Sequence, residues 1–326
     1  MQYSELNNDV SIFGREASEG IAHSTGALAR NRFFIPQCEP NAPIEFIQAV
    51  TRQSPTIAFN LWKVCHSKRL HEIRASGLRA AFDIPSNTEI WLTSTAPDPW
   101  LEKYYSNGIS QFKTDVSCFG PDRFEGPDLW MYREDGATSN IADWNRAMAY
   151  QEDCIDLPGF VPSMNGILAW HFTEFISRFE PYGFKFYAIP GREWLNHKKN
   201  WPRDQQIFKA LVERAAQATK GGIVILGTSS PKKHCDLVAA QGFIGSGWYI
   251  QAGMRRLLLG HNWVPVGQLQ SPCHRTQCCN GVSPEALLSK EYTVQRAIHN
   301  LLEIQESLVK SKISQKQQFL TMYGWS

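Results

Sequence analysis

Apolar and polar positions along this chain alternate between two rhythms. Short runs rich in β-branched and aromatic residues fall at Thr56–Trp62, Glu89–Thr93, Gln111–Val116, Gly159–Pro162, Phe184–Ile189, Gly222–Gly227 and Gly242–Gly245. Between several of them lie stretches with helical spacing of apolar positions, at 140–153, 167–180, 203–219 and 231–241. A strand followed by a helix and another strand implies parallel pairing, because a parallel connection needs a crossover. The pattern predicts a (β/α)8 barrel over 55–265, with one strand not placed; a doubly wound open sheet is the rival. Residues 1–54 read as an N-terminal arm and lead-in. Its first thirty positions lack periodicity, and Phe33-Phe34-Ile35-Pro36 opens the folded part. After 266 the rhythm stops, and 266–326 reads as a Cys/His-rich turn followed by a long helical run, about 284–318.

Composition narrows the class. Of 326 residues, 43% are apolar and 20% charged, an ordinary globular balance. Lys plus Arg is 33 and Asp plus Glu 31, so the formal charge is only +2, which excludes a polycationic tail or an acidic disordered chain. No apolar run approaches the ~18 residues of a membrane span. The opening Met1-Gln2-Tyr3-Ser4-Glu5 lacks the layout of a signal peptide, so the expectation is a cytoplasmic protein without a membrane partner. In that compartment the eight Cys are thiols or metal ligands rather than a disulfide framework. No GxGxxG follows a strand and no GxxxxGK[ST] is present, which removes the motif support for dinucleotide and P-loop sites.

The densest chemistry is Pro272-Cys273-His274-Arg275-Thr276-Gln277-Cys278-Cys279, with His299 on the helix that follows. Zinc takes about four N or S ligands in a tetrahedron, and a Cys turn with a distant His supplies them. By spacing alone, ordinary buried thiols and a surface His serve equally well. This ending resembles the zinc subdomain of the tRNA-guanine transglycosylase superfamily, where a Cys-x-Cys-x2-Cys turn precedes a helix carrying His-Asn-Leu; here His299-Asn300-Leu301 matches. The resemblance implies a structural zinc on Cys273, Cys278, Cys279 and His299. The first gap is four residues rather than one, which leaves His274 as a reserve ligand.

Upstream, Thr114-Asp115-Val116-Ser117-Cys118-Phe119 resembles that family's Thr-Asp-Ser-Gly-Gly-Phe, which implies a catalytic Asp115 at a strand end. Leu226-Gly227-Thr228-Ser229-Ser230-Pro231 is similar to a turn that precedes the family's last catalytic strand. Ser163, Asn165, Gly191 and Gly227 fall at expected strand ends, where turn formation and binding of a substrate base account for them equally well. Ser246 and Trp248 form a Ser-x-Trp pattern similar to the divergent DNA-acting, 7-deazaguanine-inserting (DpdA-type) branch. The family's nucleophilic Asp has no counterpart in Gly242-Phe243-Ile244-Gly245-Ser246-Gly247-Trp248. Either the alignment differs, or a carboxylate such as Asp98, Asp122 or Glu193 serves, or the chain is inactive. Scattered Trp residues and the short basic pairs Lys68-Arg69, Lys198-Lys199, Lys232-Lys233 and Arg255-Arg256 suit base stacking and a local phosphate-binding rim.

The resemblance implies a transglycosylase exchanging guanine for a 7-deazaguanine base in nucleic acid, DNA ahead of tRNA, with a homodimer or accessory proteins as further partners. A non-catalytic nucleic-acid-binding relative and an unrelated barrel hydrolase or lyase are the alternatives.

Overall fold

The computed structural model describes residues 32–129, 137–166, 169–191, 194 and 201–322. In chain order it runs β1 (Phe33–Pro36), α1 (Ile44–Thr51), β2 (Thr56–Asn60), α2 (Leu61–Cys65), α3 (Leu70–Ala81) and β3 (Glu89–Thr93). Then come α4 (Asp98–Tyr104), α5 (Ser110–Phe119), β4 (Arg123–Glu125), α6 (Ala137–Glu152), β5 (Phe160–Val161), α7 (Ala169–Phe179) and β6 (Phe186–Pro190). The remainder is α8 (Trp201–Ala218), β7 (Gly222–Leu226), α9 (Pro231–Asp236), β8 (Gly242–Gly245), α10 (Gly247–Gly253), β9 (Arg256–Leu259), β10 (Asn262–Pro265), α11 (Pro284–Leu287) and α12 (Thr293–Met322).

The first eight strands form two four-stranded parallel sheets, ordered β1-β8-β7-β6 and β2-β3-β4-β5. The sheets meet at two seams, each a single parallel bridge. Gln37 pairs with Ala58, where Cys38 N–H donates to Ala58 O at 2.7 Å. Ser163 pairs with Ala188, whose N–H donates to Pro162 O and whose carbonyl accepts from Met164 N–H, both at 2.8 Å.

Both faces of these strands are buried, as parallel sheets require. Alternation sends Ile57, Phe59, Ile90, Leu92, Ile223, Ile225 and Phe243 into a large core shared with the helices. The residues between them enter a separate inner cluster: Ile35, Ala58, Trp91, Val161, Phe186, Ala188, Val224, Leu226 and Ile244. Seven of the eight strands supply that cluster. On β4, Phe124 faces the outer core, so Arg123 and Glu125 take the inner positions. Arg123 confirms the orientation by lying over the Trp91 and Phe186 rings.

Three sequence expectations change. The run 111–116 lies in α5, and the strand is the three-residue β4 just beyond it. The parallel sheets take in β1, ahead of the barrel start expected at 55, and β1 is the strand the sequence left unplaced. The C-terminal segment is not a self-contained subdomain, because Ala297, Ile298, Leu301, Ile304 and Leu308 of α12 belong to the main core. The N-terminal arm expected over residues 1–30, together with Glu193 and Lys198-Lys199, lies outside the described residues. Among the described residues no helix is long and apolar enough to cross a membrane.

Candidate functional site

Two features carry chemistry. The first is the Cys turn. Asn280 and Gly281 adopt positive φ (44° and 79°), which lets the chain reverse so that Gly281 N–H donates to Cys273 O at 2.8 Å and Asn280 N–H to Arg275 O at 2.8 Å. The reversal folds Cys278 and Cys279 back toward Cys273. Cys273 Sγ lies 3.9 Å from Cys278 Sγ, and His299 Nδ1 lies 3.3 Å from Cys273 Sγ and 3.7 Å from Cys278 Sγ. One ligand atom from each of Cys273, Cys278, Cys279 and His299 falls within 4.8 Å of the others. A tetrahedron with metal–ligand bonds of about 2.0–2.3 Å has edges of roughly 3.5–4 Å, so the four side chains can hold a metal ion. His274, the expected reserve, is exposed and outside the group.

Of the three thiols, one is held toward the thiolate, while burial pushes Cys273 up. The neighbouring Cys279 thiol, then His299, hold the Cys278 thiol down to about 4, whereas Cys279 is pushed up by its hydrogen bond with Cys278 and by burial. A thiolate is the form a metal binds. The polar face of α12 fixes the helix above the turn. Asn300 Oδ1 accepts from Leu258 N–H at 2.7 Å while its Nδ2 donates to Trp248 O at 3.0 Å. Arg296 Nε donates to Ala252 O at 2.9 Å, and Arg275 on the turn pairs with Glu303 and Glu306 of α12.

The second feature lies at the C-terminal ends of β3, β4 and β5. Glu125 is buried there: Ser94 N–H donates to its Oε2 at 2.8 Å, and Ser163 Oγ lies 2.9 Å from its Oε1. Ser163 Oγ is also 2.6 Å from Asn165 Oδ1, and Asn165 Nδ2 donates to Pro127 O at 3.2 Å. Gln151 clamps the Ser163 backbone, accepting from its N–H at 2.7 Å and donating to its carbonyl at 2.6 Å. Burial first, then the charge of Asp128, pushes the Glu125 carboxyl up to about 8, against the pull of Ser94 and Ser163. Among the described residues no cation pairs with it.

Ser163 and Asn165, expected at a base edge, here bond to each other and to a carboxyl group that the sequence did not single out. Asp115, expected at a strand end, instead sits in α5 among the helices. It is buried, accepts from Tyr104 Oη and Arg74 Nη2 at 2.9 Å each, and lies 3.8 Å from Cys65 Sγ. Trp248, expected to touch a base, is wholly buried and stacks on Phe46 of α1 at 5.8 Å. Ser246 precedes α10; Gly191 N–H donates to Leu226 O at 3.0 Å and Gly227 N–H (φ 79°) to Ile244 O at 2.9 Å, and both bonds extend the sheet ladder at the strand ends. A Cβ on Gly245 would come within 2.3 Å of Thr228 O, so the end of β8 has no room for a side chain there. Asp122 is tied to Arg79 at 2.6 Å and Ile90 N–H at 2.7 Å, just ahead of β4 and at the opposite end from Glu125; Asp98 opens α4.

Glu125 was hidden because Arg123-Phe124-Glu125 is too short to show a period; its signals are the charged–apolar–charged alternation and the Gly126-Pro127 that follows. No family model and no curated protein matches this chain.

Proposed function

We propose that this chain is a transglycosylase-like protein that handles a guanine-type base in nucleic acid, exchanging it for a 7-deazaguanine, with DNA ahead of tRNA. In this reading the two parallel sheets, joined at the Gln37–Ala58 and Ser163–Ala188 seams, close as a (β/α)8 barrel whose strand ends face the base. The ion at the Cys turn is zinc, held by Cys273, Cys278, Cys279 and His299 as a closed structural site that takes no part in the chemistry.

The observation that carries the reading is the convergence of three Cys and the helix-borne His299 of His299-Asn300-Leu301 on one tetrahedron-sized point. Charge adds support. Between Asp236 and Glu285 the chain contains no acidic residue, while Arg255 and Arg256 are exposed beside α10, which follows β8. Such a surface suits phosphates. Incubating the purified protein with DNA or tRNA and labelled guanine tests the proposal: retained label supports exchange.

The end of β8 favours a second reading, a non-catalytic relative. Gly245-Ser246-Gly247 carries no carboxylate, and Gly245 admits none. Nucleic-acid binding without label incorporation selects that reading. No affinity at low salt rejects both and leaves an unrelated barrel enzyme.

A further inference from the structure

The hydrogen-bond chain at the strand ends contains a proton-counting constraint. Ser163 Oγ lies within 2.9 Å of Glu125 Oε1 and 2.6 Å of Asn165 Oδ1, yet a hydroxyl has one proton to donate. Asn165 cannot turn its amide round to help, because its Nδ2 is committed to Pro127 O at 3.2 Å and a flip would set two oxygens against each other. Both contacts are satisfied only if Glu125 carries a proton. Then Glu125 donates to Ser163 Oγ, and Ser163 donates to Asn165 Oδ1. If Glu125 is ionised, Ser163 turns its proton to the carboxylate, and Asn165 Oδ1 is left 2.6 Å from a bare oxygen.

We propose that Glu125 is a positioning residue of the strand-end site: in its neutral form it locks Asn165 through Ser163, and on ionisation it releases Asn165, so that ligand binding at this site depends on the Glu125 proton. The ligand half of this inference rests on the base-handling reading above; the Glu125–Ser163–Asn165 coupling does not. The surroundings support the neutral form. Among the described residues, the titratable groups that act on Glu125 are Asp128 on the loop after β4 and Tyr105 beyond α4. The former is acidic, and burial holds the latter's hydroxyl well above its ordinary range. Glu125 Oε2 still accepts from Ser94 N–H in either state, which ties the end of β3 to the switch. Ser163 is also the bridge residue at the β5–β6 seam, so the protonation state of Glu125 acts where the two sheets meet.

Glu125→Gln supplies the test, because its amide imitates the neutral acid at every pH: the NH2 donates to Ser163 and the carbonyl accepts from Ser94. In wild-type protein the Asn165 side-chain amide, assigned by its loss in Asn165→Ala, should shift in an NMR titration with a midpoint near 8. In Glu125→Gln and in Ser163→Ala it should not move. A flat wild-type titration from pH 5 to about 9.5, or the same titration in Glu125→Gln, overturns the coupling. Free guanine is the ligand probe. If only the neutral form binds, wild-type affinity falls about tenfold from pH 7 to pH 9. Glu125→Gln should lack this fall, and comparing the two proteins at each pH cancels the ionisation of the base itself. Identical pH profiles for the two proteins remove the positioning role and leave the base reading standing. Guanine binding to neither at any pH removes the base reading and the ligand half of this inference, while the NMR titration still decides the coupling.

Discussion

His299 Nε2 lies 3.0 Å from the Leu258 carbonyl, and that contact decides which ring nitrogen faces the cysteines. With Nε2–H donating to Leu258 O, Nδ1 keeps its lone pair and points toward Cys273 and Cys278. A backbone carbonyl that fixes the tautomer of a ligating imidazole is the usual outer support of a metal site.

One equivalent of zinc should therefore accompany protein purified without chelator, measured by elemental analysis. His299→Ala should remove most of it. Metal removal should loosen the turn, about 270–283, and spare α12, because Leu301, Ile304 and Leu308 are anchored in the main core. Hydrogen exchange separates the two segments; equal loss of protection along α12 would contradict this.

Asp115→Ala should act on stability. The substitution strands the Tyr104 hydroxyl and removes the partner of Arg74, which is itself 46% exposed and so retains water. A loss of about 1–3 kcal/mol in urea unfolding is expected, with base exchange per folded molecule unchanged. A folded variant lacking exchange would return Asp115 to the chemistry.

Glu125 should make the fold less stable as pH rises. Its folded-state value lies above the ordinary 4.5, so its contribution is fully present below about 4.5 and is lost as pH climbs through about 8. Within that window the slope approaches about 1.4 kcal/mol per pH unit. Glu125→Gln should flatten the curve and be the more stable protein at pH 9, as urea unfolding at pH 6, 7.5 and 9 would show.

Arg255→Ala with Arg256→Ala should weaken nucleic-acid binding across sequences without altering base preference. Two lost phosphate contacts reduce the slope of log K against log salt by about 1.4–1.8. An unchanged slope would place the nucleic acid elsewhere.

Much of this architecture was legible in residue order. Glu89–Thr93, Gly222–Leu226 and Gly242–Gly245 are strands where alternation and β-branched content place them, and the four metal-ligand candidates converge as their types and the His299-Asn300-Leu301 pattern imply. Both are local signals, carried by neighbours in sequence. Asp115 misled because Gln111–Val116 has the composition of a strand and the environment of a helix: Phe112, Val116 and Phe119 share one face at helical spacing and bury it.

What residue order determined, then, is the strand–helix rhythm, the absence of a long apolar span and the identity of the metal-ligand candidates, because each depends on residue types within a few positions of one another. Tertiary structure alone decided that Arg123-Phe124-Glu125 is a strand and that Phe33–Pro36 belongs to the sheet, since a short strand exists only through its partners. It also decided that Glu125 meets Ser163 across 38 residues and is buried with no ion-pairing cation among the described residues. Desolvation and proton sharing depend on what surrounds a group in space, and no periodicity along the chain encodes that.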